Sequence, residues 1–327
     1  MTTSSLHRFA WSTVAVATVT LVAGALVTSK NAGMAFRDWP TSDGQFMLTY
    51  PWLADFARDW NKFLEHGHRL AGVLIGLWSI GLVVLVERAG CRPVVRWLAR
   101  GVLLGVILQG LLGGFRVQLD ARGLAMLHGA FAAVVLSLMG ACATLLSPRW
   151  EQPPPPKRPL DPETSSSRLV LARVSSLLVL ALLAAQFVVG GLIRHQGMAL
   201  FEHLGLGILA GVAIIANVVI ACRTREPWLR RSAVAVLFAG GLQILLGIGS
   251  WLTKFGFATW GYVAVADSIL QVSLRSAHTV VGVLLVMTAV VHALRTGRTC
   301  VVRGATWGGL EPLPAGPLSA APRGGAS

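Results

Sequence analysis

The chemistry-bearing residues of this chain gather where apolar runs begin. The segment FLEHGHRLAG, residues 63–72, sets Glu65, His66, His68 and Arg69 at the mouth of one such run. Polar groups in that setting carry a heavy desolvation cost unless they find partners. Glu65 and His68 are three residues apart and share a face on a helix, whereas His66 is rotated away. His128, His203 and His278 open three further runs, in MLHGAFAA, FEHLGLGI and SAHTVVGV, each with Gly or Ala beside it. A single histidine on an apolar helix is more often a hydrogen-bonded structural residue than a ligand. Four at equivalent positions point to a shared task. Paired imidazoles from facing helices form a natural axial set for haem iron, while zinc would want a tighter group with a third or fourth ligand.

Haem also carries two propionates that need cationic or hydrogen-bonding partners. Arg69, Arg116, Arg122, Arg194 and Arg275 lie near the same boundary and could supply them, with ordinary interfacial snorkelling as the alternative. Glu65 can approach a ligand held by His68, but Glu202 is adjacent to His203 and points elsewhere. The acid on the ligand's side belongs to the first half alone. One half can therefore hold a permanent haem while the other does chemistry. His7 and His292 fall at the opposite ends of their runs and read as structural or solvated.

The elements that position these residues follow from composition. The 327 residues are 54% hydrophobic and 13% charged, with a mean hydropathy of +0.66. A soluble domain of this length needs more charge to cover its surface. The apolar runs are each long enough to cross a hydrocarbon core as a helix. They fall near 11–29, 68–86, 97–115, 124–146, 169–192, 203–221, 233–252 and 275–294. The fold expected is an all-α integral membrane protein, with eight transmembrane helices in two pseudosymmetric four-helix bundles. The first run resembles a signal peptide, but no small-residue cleavage site follows it, and VAGALVTSKNAG reads as the end of a retained helix.

A net charge of +14 would suggest nucleic acid in a soluble protein, and its distribution here excludes that partner. Arg88, Arg92, Arg96 and Arg100 lie between runs two and three. Arg149, Lys157, Arg158 and Arg168 lie between four and five, and Arg223, Arg225, Arg230 and Arg231 between six and seven. Arg295, Arg298 and Arg303 follow run eight, and the alternate loops carry few basic residues. This is the positive-inside pattern, and it places both termini in the cytoplasm of a bacterial-type inner membrane. Cys91, Cys142, Cys222 and Cys300 all fall at that side, away from disulfide chemistry.

The linker SPRWEQPPPPKRPLDPETSSSR divides the chain. Residues 1–148 form an N-terminal half with the substrate site, 149–168 the Pro/Ser-rich linker, 169–295 a C-terminal half, and 296–327 a disordered tail. A repeat recurs in runs three, five and seven, where Gln109, Gln186 and Gln243 precede Gly113, Gly190 and Gly247 by four residues. Each pair shares a helix face, and the glycine permits close approach.

These residues resemble the haem A synthases of respiratory bacteria and mitochondria. The likeness rests on Glu-x-x-His-Arg at 65–69, on His128, His203 and His278, on the DWP segment of NAGMAFRDWPTSDG, and on IRHQG at 193–197. It implies oxidation of the C8 methyl of haem O to a formyl group through a hydroxymethyl stage, with water as oxygen source. It further implies His203 and His278 as ligands of a resident haem b, His68 and His128 facing the substrate haem, and a catalytic Glu65. The partners implied are a haem O synthase, an aa3-type terminal oxidase that uses the product, and membrane lipid, with self-association left open. Many bacterial members carry a cysteine pair in the first outer loop, and this loop has none. The competing readings are a di-haem cytochrome b-type quinol or ferric reductase, and a haem carrier or assembly factor.

Overall fold

A computed structural model describes residues 3–156 and 161–305. Eight helices dominate it: α1 (Thr3–Ser29), α2 (Trp60–Arg88), α3 (Pro93–Gln118), α4 (Arg122–Leu145), α5 (Pro162–Gln196), α6 (Leu200–Arg223), α7 (Pro227–Phe255) and α8 (Ile269–Val302). The shortest have 24 residues, so they rise about 36 Å against a hydrocarbon core of roughly 30 Å. All eight are long and apolar enough to span, and no strand occurs among the described residues. The chain is a multi-pass helical membrane protein.

Every expected run is a helix, and every helix outlasts its run at one end or both. Hydropathy ends where charge begins, but a helix ends where its backbone loses a partner. Asp59 caps α2 by accepting from the Asn61 and Lys62 amides, and Ser268 caps α8 through Gln271. Pro93, Pro162 and Pro227 start α3, α5 and α7 at positions where a missing N–H costs nothing. Helix α5 therefore begins inside the expected linker, and α8 carries through 296–302 of the expected tail. Residues 306–327 of that tail and 157–160 of the linker lie outside the described residues. Gly197, at φ +73°, ends α5 in the left-handed conformation that glycine adopts most freely.

The helices pack as two rings. In the first half α1 meets α2, α2 meets α3, α3 meets α4 and α4 returns to α1; α5 to α8 close in the same order. The rings join where α8 lies against α1 and α4, and α4 against α5. Small residues let that seam close. A Cβ on Gly140 of α4 would sit 2.7 Å from the Met287 side chain of α8. Polar ties reinforce it: Ser276 Oγ of α8 meets Ser29 Oγ of α1 at 2.9 Å, and Arg194 of α5 donates to the Ala25 carbonyl at 3.1 Å.

Gly140→Leu overpacks this seam and should cost about 1–3 kcal/mol. Gly101→Ala on α3, where a Cβ meets nothing within 4 Å, should be neutral or stabilising. Thermal unfolding of the two variants in detergent compares them directly, and equal midpoints would remove the seam from the account.

Candidate functional site

Each even-numbered helix carries one histidine on the ring's inner face, and each ring is read by the helix before it. His68 Nδ1 lies 3.1 Å from the Thr20 carbonyl of α1, His128 Nδ1 3.1 Å from the Gln109 carbonyl of α3, and His278 Nδ1 3.2 Å from the Gln243 carbonyl of α7. An Nδ1–H donated to a carbonyl leaves Nε2 as the free lone pair, the tautomer a metal-binding imidazole needs. His203 takes the matching place against α5, with Nδ1 buried and without a hydrogen-bond partner. Four residues after each carbonyl stands a glycine: Gly24, Gly113, Gly190 and Gly247. A Cβ at any of them would come within 2.8–3.2 Å of the facing histidine's Cε1. The glycine is the cradle in which the ring sits.

The four rings then meet as two pairs. His68 and His128 have centroids 6.3 Å apart and planes at 89°; His203 and His278 have centroids 6.3 Å apart and planes at 76°. Two metal–nitrogen bonds of about 2 Å, plus roughly an ångström from each ring nitrogen to its ring centre, span about 6 Å. Both pairs therefore fit two-sided axial ligation of one haem iron each. Among the described residues no group of three or more His, Cys, Asp or Glu gathers as a metal site. Pairs are what these side chains offer.

The two pairs differ in their second neighbours. Gln186 Nε2 approaches His203 Nε2 at 3.4 Å, and Gln243 Nε2 approaches His278 Nε2 at 3.3 Å. Gln109 and Gln186 both donate to the carbonyl of the histidine they face, at 2.8 and 2.9 Å, but Gln109 makes no approach to a ring nitrogen, and Thr20 has no amide to give. His195, at the end of α5, reaches towards the first pair. A Cβ on Gly129, the neighbour of His128, would lie 3.8 Å from His195 Nε2.

Glu65 is buried at 4% exposure and committed. Its Oε1 accepts from Arg69 Nη2 at 2.8 Å, and its Oε2 accepts from the amides of Ala35 and Phe36 at 2.7 and 3.2 Å. Spacing alone aims this carboxylate at whatever His68 holds; in the structure it grips the loop between α1 and α2. Arg69 completes the grip by donating to the carbonyls of Asp38 and Thr41. Trp39 lies over Gly114 of α3, Gln118 donates to the Trp39 carbonyl, and Arg116 donates to the Gly33 carbonyl. The loop is thereby tied down on both α2 and α3. His66, fully buried, packs among Phe36, Tyr50 and Trp52 in this same loop and lies outside the histidine pairs.

The other arginines expected near propionates divide. Arg194 donates to Thr279 Oγ1, Ser29 Oγ and the Ala25 carbonyl, so it serves the seam between rings. Arg69 and Arg116 serve the loop. Among the described residues no hydrogen bond or ion pair ties the side chains of Arg122 and Arg275, and these two can meet an anion; Arg275 lends its main-chain carbonyl to Arg194. The sequence pattern missed Thr20 and Gly24, and His195 entered it only within IRHQG. A Gly four residues after a carbonyl that faces a histidine is the signal that finds the first two.

One turn of the loop carries a pH-dependent contribution to its stability. Burial alone would raise the Asp38 carboxyl, but hydrogen bonds from Thr41, Gly44 and Asp43 outweigh it and hold the group below its ordinary 3.8. A depressed carboxyl stabilises fully above its ordinary value and loses that contribution as pH falls through the lowered one. The turn at 38–44 should stay closed at mildly acidic pH and open only below it. Asp38→Asn keeps one acceptor oxygen but loses the charge, and should loosen the turn at mildly acidic and neutral pH as well. Limited pepsin digestion across the acid range reads both, and cleavage of the turn at equal rates in the two proteins would contradict the assignment.

Comparison with known proteins places the chain among relatives. A profile of the COX15-CtaA family, described as cytochrome oxidase assembly protein, matches residues 1–140 and 60–205. Proteins named Heme A synthase align with part of the chain. That of a Bradyrhizobium species (strain BTAi1) is 32% identical over 153 residues, covering 44% of this chain and 42% of its own length. That of Paracoccus denitrificans is 28% identical over 146 residues, covering 42% and 35%. That of Symbiobacterium thermophilum is 32% identical over 133 residues, covering 39% and 40%. The matched stretch thus spans about two fifths of the length of these curated relatives.

Proposed function

The chain belongs to the COX15-CtaA family of cytochrome oxidase assembly proteins, and we propose that it is a haem A synthase. In this reading it oxidises the C8 methyl of haem O to a formyl group through a hydroxymethyl stage, with water supplying the oxygen. An electron acceptor outside this chain takes the four electrons released as four protons leave. The observation that carries the proposal is the inequality of two otherwise matching histidine pairs. Both have the 6.3 Å spacing, but only the first stands one turn from a buried carboxylate and beneath a tethered loop.

His203 and His278 would hold the resident haem b, which supplies one-electron transfer when bound. The glutamine amides beside both Nε2 atoms would have to turn away when those nitrogens hold the iron. His68 and His128 would face the substrate haem, with Thr20 in place of a glutamine leaving that site less encumbered. Glu65 is the proposed catalytic group. Its carboxylate, fixed by Arg69 and two backbone amides, is pre-oriented to stabilise positive charge developing at the methyl or to position water. The loop it anchors would keep bulk water from the reacting carbon. Arg122 and Arg275 are the arginines best placed to take propionates.

The positive-inside pattern supports cytoplasmic termini and would set the histidine end of the bundle at the outer face of a bacterial-type cell membrane. A haem O synthase would supply the substrate and an aa3-type terminal oxidase would take the product. A second reading has support from the equal spacing of the pairs, which also suits a di-haem cytochrome b-type electron-transfer protein with both haems permanent.

Extraction and chromatography of haems from membranes that co-express this chain with a haem O synthase separates the two. Haem A, or its hydroxymethyl precursor, is the expected product; two equivalents of haem b alone would favour the electron-transfer reading. Glu65→Gln keeps an acceptor for the loop amides and should retain haem while lowering conversion by roughly 10²-fold or more. Undiminished conversion removes Glu65 from the chemistry. His203→Ala should deplete haem b, and an unchanged content would overturn the assignment of the halves.

A further inference from the structure

At the end of the bundle opposite the histidine pairs, α1, α4, α7 and α8 converge on a cavity of about 300 Å³. Its wall carries Ser4, His7, Thr144, Ser147, Arg149 and Arg295, with Trp11 and Trp228 at its sides. Two guanidinium groups face this space, and among the described residues no carboxylate lines it. Glu151, two residues beyond Arg149, is already paired with Arg92 at 2.9 Å and Arg298 at 3.6 Å. Arg295 rests its guanidinium over the Trp228 ring at 5.2 Å and leaves its buried Nε without a hydrogen-bond partner. His7 spends Nδ1 on the Ala143 carbonyl at 2.8 Å, which turns the rest of its ring to the cavity wall. One turn before Arg295, the buried His292 also leaves Nε2 without a partner.

Two like charges lining one small space repel each other and cost free energy unless an anion offsets them. Guanidinium donors beside serine and threonine hydroxyls match the tetrahedral oxygens of a phosphate. A volume near 300 Å³ is at the lower end for small-ligand sites and accommodates a phosphate with a short polar substituent. Basic pockets between transmembrane helices on the positively charged side are suited to anionic headgroups.

We propose that this cavity is a phosphate-binding site, held by Arg149 and Arg295, that clamps the two helical rings together at their basic end. Residues of both rings line it, so occupancy links α1 and α4 of the first to α7 and α8 of the second. The phosphate can come from an anionic phospholipid headgroup or from a soluble phosphate, and the chemistry of the wall is the same for both.

The test uses the full chain, wild type and the double variant Arg149→Gln/Arg295→Gln. Both are placed in phosphatidylcholine vesicles, with or without phosphatidylglycerol, or with added inorganic phosphate, and thermal unfolding is read. A rise in the wild-type midpoint with phosphatidylglycerol alone, lost in the double variant, assigns the site to lipid. A saturable rise with inorganic phosphate in phosphatidylcholine, lost in the same variant, assigns it to a soluble phosphate. Arg149→Lys/Arg295→Lys keeps both charges and should keep a reduced response, which separates loss of the site from loss of the fold. The inference fails when wild type and double variant respond alike to both probes, or when wild type responds to neither.

Discussion

A polar group in hydrocarbon has only the protein to bond with, and leaving it without a partner costs roughly 2–7 kcal/mol. That constraint explains most of what is arranged around the histidines. Glu65 lies with both oxygens occupied, by Arg69 and by the amides of Ala35 and Phe36. Arg194, with no carboxylate to meet, collects oxygens from α1 and α8 instead. Three of the four paired imidazoles use their Nδ1 atoms on the helix alongside. What remains without a partner is correspondingly informative: the His203 Nδ1 at the second histidine pair and the Arg295 Nε at the basic end.

Paired charges that are buried also fix geometry. Separating Glu65 from Arg69 would strand a charge, which typically costs about 3–5 kcal/mol. The side chains here are 5% and 7% exposed. That sets the loop 30–45 against α2, and Trp39 over Gly114 sets it against α3. The first ring thus has a fastened cover. Between α7 and α8 of the second ring, Phe257 and Tyr262 pair with each other through the backbone. The two rings share a helical plan and differ in what lies over them.

Much of this was legible in the chain itself, for physical reasons. Hydropathy over some twenty residues reports burial in lipid, so all eight spans and the placement of His68, His128, His203 and His278 could be read directly. Helix ends could not, since Asp59, Ser268 and the three N-terminal prolines act on single amides that hydropathy does not register. The tasks of Arg69 and Arg116 were hidden because their acceptors are carbonyls of an irregular loop, whose path no spacing encodes. Arg194 was misleading for a related cause: its partners lie on α1 and α8, and only tertiary packing brings them near. The repeat of Gln109, Gln186 and Gln243 was visible, yet its fourth member, Thr20, was not, because the side chain varies while the acceptor does not.

That last point has a consequence for how the site can change over time. Each histidine that donates from Nδ1 does so to a main-chain oxygen of the neighbouring helix. A main-chain oxygen survives every substitution of its own residue. The tautomer is therefore inherited through the register of two helices rather than through any letter of the sequence, and the side chains of residues 20, 109 and 243 are not what sets it. Insertions or deletions that shift register are what such a site cannot tolerate.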